Sequence, residues 1–453
     1  MLLLVVAVSA SLGGFYTARL LWHSPSAKHD AERPQTEEGA PAEARVPPPP
    51  ADLVPDPTSP LPERAEALIE EANRVVDRLV EAFPNSPDSL EMKARVQDWI
   101  GNSEEAVRCW EKCLDLNRDY AYAYGGIATI AAKKGEHEKA AEMAEKALRV
   151  DPAYFLARTV RAKALIDLAR PEEAISLLEE YLRTDPRSQG FVLLGQAYSQ
   201  TGEHEKAKEN YEAAIERYPE YTGAYHGLSR ACARLGRQDA ARQAMAKYRE
   251  LRATEKPARQ GTDMVKDDLE ATYRSAAIFY TDIGRLYYSQ REPREAERLW
   301  RRAAVLVPED VGCRQALAWL CRGEGRTQET IELMEEMASI EPENPGYWIE
   351  IGRLWAEMVQ LEPAEKALRK ACAVAPQNAE GHAALARLYL TIGRNPAEAL
   401  TLARTAVQLQ PTAANYALLA AACERNDDHP GAVAAREQAA KLESVRSVDQ
   451  PVR

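Results

Sequence analysis

Apolar and polar positions alternate along this chain in a recurring couplet. Phe191, Leu194, Gly195 and Tyr198 stand at i, i+3, i+4 and i+7, the stripe of one amphipathic helix. After a polar interval, Ala207, Tyr211 and Ala214 form a second stripe, and Pro219 closes the unit. The same couplet returns at Tyr280, Ile283, Gly284 and Tyr287 with Ala296, Trp300, Ala303 and Pro308. It returns again at Trp348, Ile351, Gly352 and Trp355 with Ala364, Leu368, Ala371 and Pro376. Each couplet predicts two helices packed back to back. The small residues let the helices approach closely, and the proline stops the second one.

The couplets keep a fixed period. The hexapeptide Gly135–Ala140 recurs unchanged at Gly202–Ala207. Its closing alanine recurs as Ala106, Ala140, Ala174, Ala207, Ala241, Ala296, Ala364, Ala399 and Ala432, with Thr330 in the one vacancy. Steps between these markers are 33 to 35 residues, apart from one of 55 between Ala241 and Ala296. Pro152, Pro186, Pro219, Pro308, Pro342, Pro376 and Pro411 keep pace, each twelve residues after its marker. The long step predicts one insertion of 21 residues around Thr254–Tyr273, separating two arrays.

With those markers the sequence resembles the tetratricopeptide repeat family, whose 34-residue unit is a pair of antiparallel helices. The resemblance covers about ten copies. It implies an all-α fold, a right-handed superhelical solenoid of about ten antiparallel helix pairs with a concave groove. Two copies depart from the pattern and are expected to pack less well: one carries Arg158 and Arg161 on its stripe, the other Lys93 and Gln97. Leu61–Phe83 reads as a further helix in phase with the repeat, a cap. The expected organisation is a capping helix at 62–86, a first array at 87–253, an insertion or hinge at 254–276, a second array at 277–446 and a tail at 447–453.

The beginning of the chain is different. Leu2 to Ala18 carries no charge, and Leu20-Leu21-Trp22 resumes after Arg19. About twenty apolar helical residues span a bilayer, so 1–23 is expected to be an N-terminal membrane anchor with the bulk exported to the periplasmic side. A signal segment cleaved near Ala10, leaving a secreted protein, is the other reading. Eleven prolines between Pro25 and Pro62 make 24–61 an extended spacer that cannot build a core. This layout is similar to bacterial membrane-anchored repeat proteins.

In the family, positions 2, 5, 9 and 12 of each first helix line the concave face. Position 9 carries Arg95, Lys163, Arg230, Arg285, Trp319, Arg353 and Arg387, alongside Thr129, Gln196 and Ala421. These cations stand in a chain of net charge -12, with Lys+Arg 58 against Asp+Glu 70. The resemblance therefore implies a ridge suited to a protein or peptide partner, and to an acidic segment in particular, since Arg pairs with carboxylates in bidentate geometry. A plain solvated helix face is the competing reading. Tyr120, Tyr122, Tyr124, Tyr154 and Phe155 cluster at one repeat junction and read as core.

Signals for chemistry are missing. His137-Glu138 and His204-Glu205 lack the second histidine of a zinc-protease motif, and Cys109 with Cys113 has no further ligands. No catalytic residue, metal site, cofactor or small-molecule substrate is expected. The acidic balance argues against nucleic acid. The expected function is a membrane-tethered, non-catalytic scaffold assembling or organising an envelope complex. A regulatory or substrate-recruiting subunit of a separately encoded glycosyltransferase or protease is the alternative.

Overall fold

The computed structural model describes Pro57, residues 59–254 and residues 269–448. The expected membrane segment, most of the spacer, the centre of the insertion and the last residues of the tail lie outside them. Every regular element among the described residues is a helix. In chain order these are α1 (Ala65–Ala82), α2 (Pro87–Trp99), α3 (Ser103–Leu116), α4 (Ala121–Lys133), α5 (His137–Val150), α6 (Phe155–Asp167), α7 (Pro171–Thr184), α8 (Ser188–Thr201), α9 (His204–Arg217), α10 (Thr222–Arg234) and α11 (Gln238–Thr254). After 255–268 come α12 (Leu269–Ser289), α13 (Pro293–Leu306), α14 (Val311–Gly323), α15 (Thr327–Ile340), α16 (Pro345–Glu357), α17 (Leu361–Val374), α18 (Ala379–Ile392), α19 (Pro396–Leu409), α20 (Ala413–Arg425) and α21 (His429–Val448).

The recurring markers have clear structural roles. Every marker alanine, and Thr330, is buried where a second helix meets its partner. Each marker proline lies two residues beyond the end of a second helix, where its missing N–H costs nothing. Between the paired helices the chain turns through a left-handed residue, at Gly101, Gly135, Ala169, Gly202, Gly236, Arg291, Gly325, Val359, Gly393 and Asp427. Glycine is the natural occupant there; Val359, at φ 59°, holds a β-branched side chain in a region that disfavours it.

Packing runs from repeat to repeat. The ring of Tyr211 on α9 is held between Gly195 of its own first helix and Gly227 of the next one. Trp110 on α3 lies against Gly126 of α4 in the same way. One continuous apolar cluster extends from Phe155 to Ala231 across consecutive copies. The atypical copies are completed by polar contacts. Arg158 lies over the ring of Tyr181 at 4.9 Å, and Arg161 pairs with Glu145 at 3.3 Å. Lys93 reaches Asp77 at 2.9 Å, and Gln97 donates to Asn73 at 2.8 Å, both partners being on α1. The helix α1 also buries Leu68, Val75, Val76 and Leu79.

The described helices fall into two compact units that divide between Tyr287 and Tyr288, inside α12. Within the first unit, α12 does more than open a new repeat. Tyr273 donates to the carbonyl of Pro62 at 2.6 Å, and Tyr280 to Glu71 at 2.9 Å. The rings of Tyr287 and Phe83 meet edge to face at 5.6 Å, and those of Phe279 and Trp99 at 5.3 Å. From Tyr273 to Tyr287, α12 therefore rests against α1, α2 and the residues flanking α1, some two hundred residues earlier in sequence.

A Cβ at position 227 would lie 2.3 Å from the ring of Tyr211. Gly227→Val is expected to lower the urea stability of the first unit by about 1–3 kcal/mol. Val359→Gly relieves the left-handed strain and is expected to raise stability of the second unit by about 1 kcal/mol in the same measurement.

Candidate functional site

Position 9 is a surface position by helical spacing, yet the structure gives its residues different surroundings. In the first unit, Arg95 on α2 is only 8% exposed. Its Nη2 bonds Asp282 Oδ2 at 3.0 Å, across from α12. Arg285 Nη1 bonds the other oxygen, Oδ1, at 3.1 Å. Two of the expected groove residues thus share one carboxylate, and Asp282 is itself 2% exposed. A buried aspartate needs such partners, because an unpaired charge in this setting is strongly disfavoured. The guanidinium of Arg95 also lies 5.6 Å from the Phe279 ring centre and 3.9 Å from Glu91. Lys163 is exposed and paired with Asp167 one turn on. Arg230 is exposed and has no ion pair among the described residues.

In the second unit the first helices carry a ladder of charges. Glu350 on α16 accepts from Arg322 of α14 at 3.1 Å and from Arg353 at 2.6 Å. Arg353 then reaches Glu380 on α18 at 2.6 Å. Arg387 on α18 is exposed, with no ion pair among the described residues. Trp319 on α14 stands apart: its side chain is 60% exposed. Its ring meets that of Tyr288 edge to face at 4.8 Å, and Tyr288 in turn leans on buried Trp300 at 6.0 Å.

The position-9 cations therefore do not make one free basic ridge. Arg95, Arg285, Lys163 and Arg353 are each matched by carboxylates, and only Arg230 and Arg387 keep an uncompensated charge among the described residues. Sequence spacing finds the arginines but not the acids that neutralise them, which sit on other turns or other helices.

Family models for the tetratricopeptide repeat match residues 92–154, 131–197, 192–256 and 322–388, together just over half of the chain. The chain belongs to the tetratricopeptide repeat family. A TPR repeat-containing protein of Methanocaldococcus jannaschii is 23% identical over 152 residues, covering 31% of this chain and 27% of that protein. The chain thus spans about a quarter of that relative's length. Among solved structures, YrrB, described as a TPR protein with an unusual peptide-binding site, aligns over 40% of this chain and 93% of its own at 19% identity and TM-score 0.34. MamA from Desulfovibrio magneticus aligns over 44% of this chain and all of its own at 20% identity and TM-score 0.33. Yeast Tom70 aligns over 80% and 93% at 16% identity and TM-score 0.31.

The remaining features of this tetratricopeptide repeat protein are structural in character. Tyr154 and Phe155 are buried, and Tyr122 meets Tyr154 edge to face at 5.1 Å. Tyr120 donates to Asp88 at 2.7 Å. Cys109 and Cys113 are buried in the core around Trp110; burial pushes the Cys109 thiol up to about 11 and that of Cys113 higher still. Among the described residues no cluster of His, Cys, Asp and Glu could hold a metal ion. Nor is any described helix long and apolar enough to cross a membrane, and Leu2–Trp22 is not among those residues.

Asp282, Glu71 and Glu91 are the residues that spacing alone misses. Asp282 interrupts the apolar set Ala276, Ala277, Phe279, Tyr280 and Ile283, which signals a buried acid needing a cation, but not which one. Glu91 has side-chain exposure of 14%. Burial pushes its carboxyl up to about 7 against the lowering pull of Arg95, with Asp88 and Asp282 adding to the rise. A proton held more tightly in the folded than in the unfolded chain contributes stability below the ordinary value of 4.5, and that contribution is lost as pH climbs to about 7. Glu91→Gln removes the effect. The wild type is expected to lose about 1–3 kcal/mol relative to Glu91→Gln between pH 4.5 and 7.5, read from paired urea titrations.

Proposed function

We propose that this chain is a non-catalytic interaction scaffold that holds a segment of a partner protein along the first-helix face of its second array, with Trp319 as the anchor. The carrying observation is the indole itself. A tryptophan 60% exposed, braced edge to face by Tyr288, occupies a position where the next copy carries an ion-paired arginine. Tryptophan is enriched among the few interface residues that carry most of the binding energy between proteins. The ladder of Arg322, Glu350, Arg353 and Glu380 leaves that face nearly neutral. Arg387 adds an uncompensated cation two copies on, which suits a segment with an apolar side chain followed by an acidic one.

The proposed setting is a membrane. Leu2–Trp22 would tether the chain and 24–61 would hold the repeats away from the surface, with the bulk on the exported side, serving assembly of an envelope complex.

Trp319→Ala should leave the helical content and urea midpoint of the protein unchanged. It should reduce capture of partners from detergent-solubilised membranes at least tenfold, and Arg387→Glu should reduce it further. A set of captured proteins that is the same for wild type and Trp319→Ala removes this reading.

A further inference from the structure

The contact of α12 with α1 and α2 is not required by the repeat. In the repeat each helix packs on its neighbours in sequence; here a helix is taken up by a face some two hundred residues away. The side chains that meet there are of the kind found in recognition. Aromatic rings pack at either end, Phe279 on Trp99 and Tyr287 on Phe83. Between them lie two polar locks, Tyr280 on Glu71 and Asp282 on Arg95. A buried ion pair adds little net stability over a well-packed apolar contact, but removing one of its partners leaves an uncompensated charge and is strongly disfavoured.

We infer that the face formed by α1 and α2 is a helix-docking surface whose resident occupant is the chain's own α12, held by the Asp282–Arg95 and Tyr280–Glu71 locks and releasable from them. An occupant is recognised by its chemistry: an amphipathic helix with an aromatic residue three positions before an aspartate, and a tyrosine between them two positions before it. Release of α12 takes Asp282 away from Arg95, which keeps Glu91 at 3.9 Å, and exposes a site for another helix of the same pattern. This inference is independent of the face that carries Trp319.

The test uses the full chain and a labelled peptide of residues 269–289. Asp282→Asn keeps the side-chain volume and removes the charge that pairs with Arg95. In this variant the amides of 272–287 should exchange at least tenfold faster than in the wild type, while those of α4 to α10 keep their protection. The wild-type peptide should bind the variant at least tenfold more tightly than it binds the wild-type protein, whose site is filled. A peptide carrying the same Asp282→Asn change should bind the variant less well than the wild-type peptide does. If Asp282→Asn does not fold, Phe279→Ala takes its place with the same readouts. Loss of protection in 272–287 only together with the whole first unit overturns the inference. So does peptide binding that is equal for variant and wild type, or absent from both.

Discussion

A helix pair of this length exposes two apolar stripes and can cover only one of them by itself. The stacking of one copy on the next follows from that shortage. The ring of Tyr211 touches Gly195 in its own copy and Gly227 in the next, so one side chain belongs to two repeats at once. Trp110 and Gly126 repeat the arrangement. Where interfaces join neighbouring copies, stability is close to a sum over those copies, and a poorly matched copy is tolerated when its neighbours compensate. Arg158 over Tyr181 and Lys93 with Asp77 are such compensations.

Charge is arranged on a different principle. Along the first helices of the second array, carboxylates alternate with guanidinium groups from one copy to the next. Exposed pairs of this kind contribute little each, about 0–1 kcal/mol, but a linked series restricts long side chains that would otherwise roam. Trp319 stands 60% exposed on the helix that carries Arg322 of this series. The buried Asp282 is different in kind, because both of its oxygens are engaged by guanidinium groups and it is shielded from water. One type of pair lies at the surface and the other is buried between helices.

The period of the alanine and proline markers made the helix pairs legible from sequence, since burial and helix termination leave a mark every 34 residues. The helix α1 was legible for the same reason, through Leu68, Val75, Val76 and Leu79. The position-9 arginines were legible as residues, but their neutralisation was not. Asp282, Glu350 and Glu380 fall at positions with no fixed identity in the repeat, and pairing between helices depends on distance rather than spacing. Nor did spacing reveal that α12 would side with α1 and α2. The signals for it, Phe279, Tyr280 and Asp282, look like ordinary members of a repeat until Trp99, Glu71 and Arg95 are seen beside them.

The pairing of α12 with α1 and α2 has a temporal side. Contacts within an array close loops of a few dozen residues and form as soon as two copies exist. The contact between Arg95 and Asp282 spans 187 residues. At synthesis rates of about 5–20 residues per second, α2 leaves the ribosome roughly 10–40 s before its counterpart. For that interval the nascent chain presents Arg95, Trp99 and Phe83 to water or to whatever else is near. The high sequence separation that is rare in a repeat array thus creates a window in which α1 and α2 have been made before the helix that covers them.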